Sequence, residues 1–266
     1  KNSNPYVAYS VTGLRNLGNT CYINCMLQSL FATNELKNLF ISGKYREYQM
    51  KPNDNKESAI SNTFANLFNK MYMNGGCTVV PSGFLKICNF LRPDLRIPDD
   101  QQDTQEFLLF ILNRLHDELS NQVNVINDYP NLLLYDDDKM MVDKEKYKKW
   151  FDKTVVANGL SPVDGVFQGQ MENALQCQRC GYESVNYSTF YVLSLALPKP
   201  SAPAFYKSGR VKLEDCINMF TSDEVLTGEN AWDCPKCGSK AVEPRFTNRA
   251  STQTILPNSP HHHKKS

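Results

Sequence analysis

Two five-residue stretches of one pattern, Cys177-Gln178-Arg179-Cys180-Gly181 and Cys234-Pro235-Lys236-Cys237-Gly238, constrain this chain more than any other feature. Two residues between cysteines let both sulfurs of a pair reach one ion. The glycine that follows permits the positive-φ turn that closes such a knuckle. Together the knuckles supply four thiolates, Cys177, Cys180, Cys234 and Cys237, the closed tetrahedral shell of a structural zinc site. Their separation far exceeds the roughly 15–20 residues of a compact zinc ribbon. The ion must then pin two strand-rich arms together while the intervening chain leaves and returns. A redox pair would need a thioredoxin-like βαβ setting, which the flanking sequence lacks. The nine cysteines are odd in number and not spread as a disulfide framework, which fits a reducing compartment and metal binding. Cys77, Cys88 and Cys216 are isolated and read as core or surface thiols.

At 266 residues and 41% hydrophobic, the chain can bury one large core or two domains. Its net charge of +1 leaves no electrostatic footprint for nucleic acid or an anionic membrane. The longest apolar run, Phe107 to Leu112, is far too short for a membrane span. No signal peptide is visible, and a start at Lys1-Asn2-Ser3 puts the true N-terminus out of view.

Residues 1–12 read as a polar lead-in and 13–162 as a mainly helical part. The spacing predicts a helix after Cys21, another over Ala59 to Met71 (Ile60, Phe64, Leu67 and Met71 on one face), and a third over Asp103 to Leu119. The third is apolar on so many sides that it should be buried. After it, within the helical part, Asp136-Asp137-Asp138 and the lysines from 144 to 149 mark a solvated excursion over 121–162, ending in a short helix at Tyr147 to Phe151. From Val163 the texture is strand-like, and 163–250 forms a second, strand-rich part. Its clearest strand is Val185 to Leu195, and Leu213 to Phe220 is a short helix. Residues 251–266 are a low-complexity tail.

In the first part a polar, glycine-punctuated loop, Gly13 to Thr20, runs into an amphipathic helix with Cys21 at the junction. Ile23, Met26, Leu27, Leu30 and Phe31 make its apolar face. Asn19 or Thr20 can cap the first turn. Cys21 thus sits at the positive end of a helix dipole, which favours the nucleophilic thiolate. Asn16, in the same loop, can aim its amide at a developing oxyanion. A free cysteine is more often simply buried, and Cys25, one turn on, suits that role better.

Gln101-Gln102-Asp103-Thr104-Gln105-Glu106 opens the third helix. Asp103 at the N-cap with Glu106 at N3 resembles a capping box with Asp in place of Ser or Thr. The alternative is that these carboxylates face a cleft and bind a basic peptide. A cysteine nucleophile also needs a base. His116 reads as a solvated helix position, and His261, His262 and His263 lie in the low-complexity tail. The chain is therefore either not an enzyme or stops short of its base.

The segment Gly13 to Asn24, with Leu27-Gln28-Ser29-Leu30 following, resembles the cysteine box of ubiquitin-specific proteases. Gln101 to Leu108 with Leu115-His116-Asp117-Glu118-Leu119 resembles that family's glutamine-rich box. Val166-Phe167-Gln168-Gly169-Gln170 is similar to its entry into the fingers, as is Leu213-Glu214-Asp215-Cys216 with Phe220-Thr221 and Glu224. The likeness runs in order over residues 11–240 and is nearest to fungal members.

The resemblance implies an α+β, papain-like cysteine protease fold, with a helical thumb, a palm and zinc-bearing β fingers that grip ubiquitin. It implies that Cys21 is the nucleophile, that Asn16 serves the oxyanion hole, and that Asp103 and Glu106 contact the arginines of the ubiquitin tail. It implies structural zinc on the four paired cysteines. The family's histidine box and its downstream Asp or Asn find no match. The tail from Ser239 reads as the start of an insertion rather than the family's next strand. The expectation is the N-terminal part of a catalytic domain, its palm incomplete, inactive alone. The whole would be a thiol-dependent deubiquitinase cutting after the C-terminal glycine of ubiquitin, with ubiquitin and ubiquitinated proteins as partners. Its place would be intracellular, cytoplasmic or nuclear. The alternative is a non-catalytic ubiquitin-binding module. A zinc-ribbon nucleic-acid binder ranks last for want of a basic patch.

Overall fold

In the computed structural model the described residues are 12–49, 59–74, 76–120, 144–198, 210–226, 232–238 and 245–251. The chain divides into two compact units, one ending at Phe167 and one running from Gln168 to Thr254.

The first unit is helical. Its elements are α1 (Cys21–Ala32), α2 (Asn34–Ile41), α3 (Ala59–Met73), α4 (Ser82–Leu91), α5 (Thr104–Leu119), α6 (Lys144–Asn158) and a single turn, α7 (Asp164–Phe167). The period of 3.6 places Ile60, Phe64, Leu67, Phe68 and Met71 on one side of α3, and all five are buried. They meet Phe40 of α2, Phe84 of α4 and Tyr45 in an aromatic core. The Phe64 and Phe68 rings lie 4.2 Å apart between centroids, and Phe40 meets Phe64 at 4.9 Å. Helix α5 packs on both α1 and α3. Phe107, Ile111, Leu112, Leu115 and Leu119 are buried, and only Asn113 and Asp117 are exposed from Phe107 onward.

A buried carboxylate joins two of these helices. Glu118 Oε1 accepts from Ile60 N at 3.1 Å and Oε2 from Ser61 N at 2.7 Å, so α5 caps the orphan amides at the start of α3. Arg114 Nε donates to the same carboxylate at 3.2 Å.

Helix α6 is longer than the short helix expected at Tyr147 to Phe151. Tyr147, Phe151 and Val155 recur every fourth residue and are buried, while the lysines between them point outward. Asp136-Asp137-Asp138 lies outside the described residues.

The second unit is a four-stranded antiparallel sheet of order β2-β1-β4-β3, with strands β1 (Gly169–Gln176), β2 (Glu183–Phe190), β3 (Glu224–Val225) and β4 (Arg245–Ser251). Helix α8 (Leu213–Phe220) buries Cys216. Three expectations change here. The strand-like texture begins at Gly169 rather than Val163, because residues 164–167 coil into α7. Strand β2 stops at Phe190, well short of Leu195, because its ladder partner ends there: Phe190 pairs with Gly169, the first residue of β1. Residues 245–251, read as insertion or tail, form a strand paired along β1 from Gln176↔Arg245 to Gln170↔Ser251. Among the described residues no helix is long and apolar enough to cross a membrane.

Candidate active site and metal centre

The loop before α1 is fixed from several directions. Leu14 forms a parallel bridge with Val79, through Arg15 N to Val79 O at 2.9 Å and Val79 N to Gly13 O at 2.8 Å. Further along, Asn19 N donates to Pro98 O at 3.0 Å and its amide Nδ2 donates to Asp99 O. Gly18 lies at φ +136°, and a Cβ there would sit 3.0 Å from Pro98 O. Glycine is what lets the loop close on this turn.

Asn16 organises the loop from within. Its Oδ1 accepts from Gly18 N at 3.3 Å, Thr20 N at 3.2 Å and Thr20 Oγ1 at 2.9 Å. These three donors fix which way the amide faces, with Oδ1 turned into the loop. Thr20 stands at the N-cap, but neither it nor Asn19 caps the helix with a side chain. The Thr20 hydroxyl instead accepts from Leu17 N at 3.1 Å while donating to Asn16. The first amides of α1 therefore stay open, a ready site for negative charge. Cys21 is the first residue of α1 and its thiol is exposed, between buried Thr20 and buried Tyr22. Cys25, expected in the core, is exposed too, because it shares the Cys21 face rather than the Ile23, Met26, Leu27 face.

The turn that receives Asn19 leads directly to Asp103. Asp103 caps α5, its Oδ1 accepting from Gln105 N at 2.7 Å and Glu106 N at 3.0 Å. Only that half of the expected capping box forms. The Glu106 carboxylate turns to Arg92 Nη2 at 3.1 Å, and Arg92 also grips Asp94. Hydrogen bonding to Arg92 holds the Asp94 carboxyl below its usual range. Both Asp103 and Glu106 are exposed, so the cap leaves them accessible to a ligand.

His116 is not a solvated position. Its Nδ1 lies 2.8 Å from Asp164 Oδ2 and its Nε2 3.0 Å from the Asn158 carbonyl. Burial works against the charged ring. The Asp164 hydrogen bond and charge outweigh it, with the Asn158 carbonyl and the Asp117 charge adding, and the pKa rises above the ordinary histidine value. Both nitrogens face acceptors, so this ring is committed to structure. The sequence carried a missed clue: Ser161-Pro162-Val163-Asp164 is a capping box, with Ser161 N to Asp164 Oδ2 at 2.7 Å and Asp164 N to Ser161 Oγ at 3.3 Å. It builds α7 and presents the carboxylate to His116. The other three histidines lie outside the described residues.

In the second unit the twin knuckles come together. The Sγ atoms of Cys177, Cys180, Cys234 and Cys237 all lie within 4.8 Å of one another. Cys177 and Cys237 are 3.9 Å apart and Cys180 and Cys234 3.7 Å. A tetrahedron with metal–sulfur bonds of about 2.3 Å has edges of roughly 3.8 Å, so the donor set fits a four-coordinate ion. Each knuckle is closed by a glycine amide, Gly181 N to Cys177 O and Gly238 N to Cys234 O, both at 2.9 Å. Both glycines have φ above +60°. The backbone amide of Cys180, followed by that of Arg179, lowers the pKa of Cys177. At Cys180 the Tyr182 amide acts the same way, but burial and the neighbouring thiols prevail and push it up to about 11. Such a cluster sheds all its protons only when a cation shares it. Tyr182 and Trp232 stack beside it at 6.2 Å.

An exposed cysteine thus opens a helix in the first unit, and four cysteines cluster in the second. A family profile described as "Ubiquitin carboxyl-terminal hydrolase" matches residues 12–256, and the chain belongs to that family. It is 64% identical over 249 residues to "Ubiquitin carboxyl-terminal hydrolase 7" of Saccharomyces cerevisiae, covering 91% of this chain and 23% of that protein. It is 52% identical over 251 residues to "Ubiquitin carboxyl-terminal hydrolase 11" of the same yeast, covering 93% of this chain and 35% of that one. The chain thus spans about a quarter to a third of these relatives. Among solved structures, the SAGA DUB module with Ubp8, bound to monoubiquitin, shares the fold. Its TM-score is 0.62 at 19% identity, covering 93% of this chain and 47% of that one.

Proposed function

We propose that this chain carries the nucleophile and the metal-bearing fingers of a thiol-dependent deubiquitinase. The observation that carries the reading is the Cys21 junction. An exposed thiol opens a helix whose first amides are uncapped, next to a loop whose Asn16 amide is oriented by three hydrogen bonds. On this reading the Cys21 thiolate attacks the carbonyl of the terminal glycine of ubiquitin. The oxyanion is met by Asn16 Nδ2 and the Cys21 backbone amide, an arrangement in which one donor contributes about 3–4 kcal/mol. The amine leaves with a proton, and water resolves the thioester. His116 is engaged by Asp164 and Asn158, so a different histidine serves as base. Asp103 and Glu106 take the basic residues of the ubiquitin tail by charge-assisted hydrogen bonds.

Zinc is the ion proposed for Cys177, Cys180, Cys234 and Cys237, as a closed structural site with no open coordination position. Four thiolates of this kind belong to a reducing compartment, so an intracellular setting, cytoplasmic or nuclear, is part of the same proposal. Ubiquitin and ubiquitinated proteins are the partners.

The test is to treat the full-length protein with ubiquitin bearing a C-terminal electrophile. One covalent adduct is expected, lost in Cys21→Ser. No adduct, or one that persists in Cys21→Ser, defeats the mechanism. Ubiquitin binding without an adduct would favour a non-catalytic binding module.

A further inference from the structure

The backbone of residues 12–15 runs between two neighbours. Gly13 O and Arg15 N face Val79 on one side. In extended chain, successive carbonyls point to opposite sides. Thr12 O and Leu14 O accordingly face the other way, and α1 meets both. Gln28 Nε2 donates to Thr12 O at 2.7 Å, and Asn24 Nδ2 donates to Leu14 O at 3.3 Å. The spacings agree: two strand residues advance about 6.6 Å and four helix residues about 6 Å. Two amide side chains thus let one edge of α1 stand in for an antiparallel strand.

Asn24 is a poor choice for stability alone. Its Oδ1 is buried and finds no partner among the described residues, a destabilising state that an apolar residue would avoid. What the amide adds is the tie to Leu14. Leu14 lies two residues before Asn16, and Asn24 lies one helical turn after Cys21. The two atoms that must converge on one carbonyl sit just beyond the last rung of this ladder.

We propose that Asn24 and Gln28 are positioning residues that set the register of the Asn16 loop against the Cys21 helix. The proposal rests on the reading of Cys21 as nucleophile and Asn16 as oxyanion donor. Both residues act through Asn16, so their effect appears only where an oxyanion develops.

The test uses the full-length protein and a fluorogenic amide of the ubiquitin C-terminus. Asn24→Asp and Gln28→Glu preserve shape but replace the donor with a carboxylate facing a carbonyl. Each should lower kcat by about tenfold or more, with little change in KM. Alkylation of Cys21 by iodoacetamide, which passes through no oxyanion, should keep its rate. Asn16→Ala should lower kcat by about 10²–10³. Adding Asn24→Asp or Gln28→Glu to it should then cost less than about a further twofold. Additive losses in the double variants, unchanged kcat in the singles, or alkylation falling in step with kcat would each overturn the proposal. If Asn24→Asp does not fold, as read by Tm, Gln28→Glu at the distal rung decides on the same criteria. A parent protein with no Cys21-dependent hydrolysis sinks the functional reading and this role with it. An active parent whose variants match it sinks this role alone.

Discussion

The two units are held together by different chemistry. The first buries aromatic and aliphatic side chains on six helices, α1 to α6, with Phe40, Phe64, Phe68, Phe84 and Phe107 among those fully enclosed. Among its described residues the second buries few apolar side chains. These are Ala174, Cys177, Cys216 and Cys234, and strand β2 is half-buried or exposed along its whole length. A sheet with so little apolar burial needs another source of stability, and the four-sulfur cluster is placed to supply it. One chain thus pairs a helical unit built on an aromatic and aliphatic core with a strand-bearing unit whose described buried positions centre on a four-cysteine cluster.

Removing the zinc proposed for that cluster is the strongest way to break the contrast. Chelation, or Cys177→Ser combined with Cys234→Ser, should withdraw a contribution of about 10–16 kcal/mol from the second unit. Hydrogen exchange should then show protection lost over 169–190 while that over 59–73 and 104–119 persists. Equal loss in both units, or none in either, would mean that the division of labour is wrong.

The reverse experiment strikes the aromatic core. Phe64→Ala removes a ring that touches Phe40, Phe68 and Phe84, and should cost roughly 3–5 kcal/mol. Protection should fall over α3 and α5, with metal content unchanged. A smaller effect is expected from Glu118→Ala, which strands two buried amides at the start of α3 and should cost roughly 2–4 kcal/mol. If α3 frays no more than the other helices do, Glu118 is not its cap.

What could be read from the sequence follows from how far each interaction reaches. Helix α3 was legible because Ile60, Phe64, Leu67 and Met71 recur at helical period, and the knuckles were legible because each is five residues long. The full length of helix α6 is hard to read from the sequence because lysines surround its Tyr147, Phe151, Val155 stripe. Strand β4 carries no apolar alternation. It is a strand because β1 offers it a backbone ladder, and that information lies far away in the chain. The same holds at the site. That Asn16 shares a loop with Cys21 could be seen, whereas its three donors, the Pro98–Asp99 turn and the Arg92 grip on Glu106 could not. The role of His116 is hidden from the sequence because its partner Asp164 stands 48 residues further along the chain.

That pair gives the subtlest effect, a pH response of the first unit carried by a histidine. The folded protein raises the pKa of His116 above its value in the unfolded chain, so the native state holds this proton more tightly. The stabilisation is fully present below the ordinary histidine pKa of about 6.5. It fades as pH rises through the elevated folded value, when the neutral ring gives up its charge pairing with Asp164. Stability of the α5–α7 junction should therefore decline on the alkaline side of neutrality. His116→Gln removes the titrating group, so the difference in hydrogen-exchange protection of 158–167 between parent and variant isolates it. That difference should be largest at mildly acid pH and shrink as pH rises. A difference that stays level across neutral pH would show that His116 holds Asp164 as a neutral ring. One that grows with pH would reverse the sign of the linkage, and with it the assignment of the proton to the folded state.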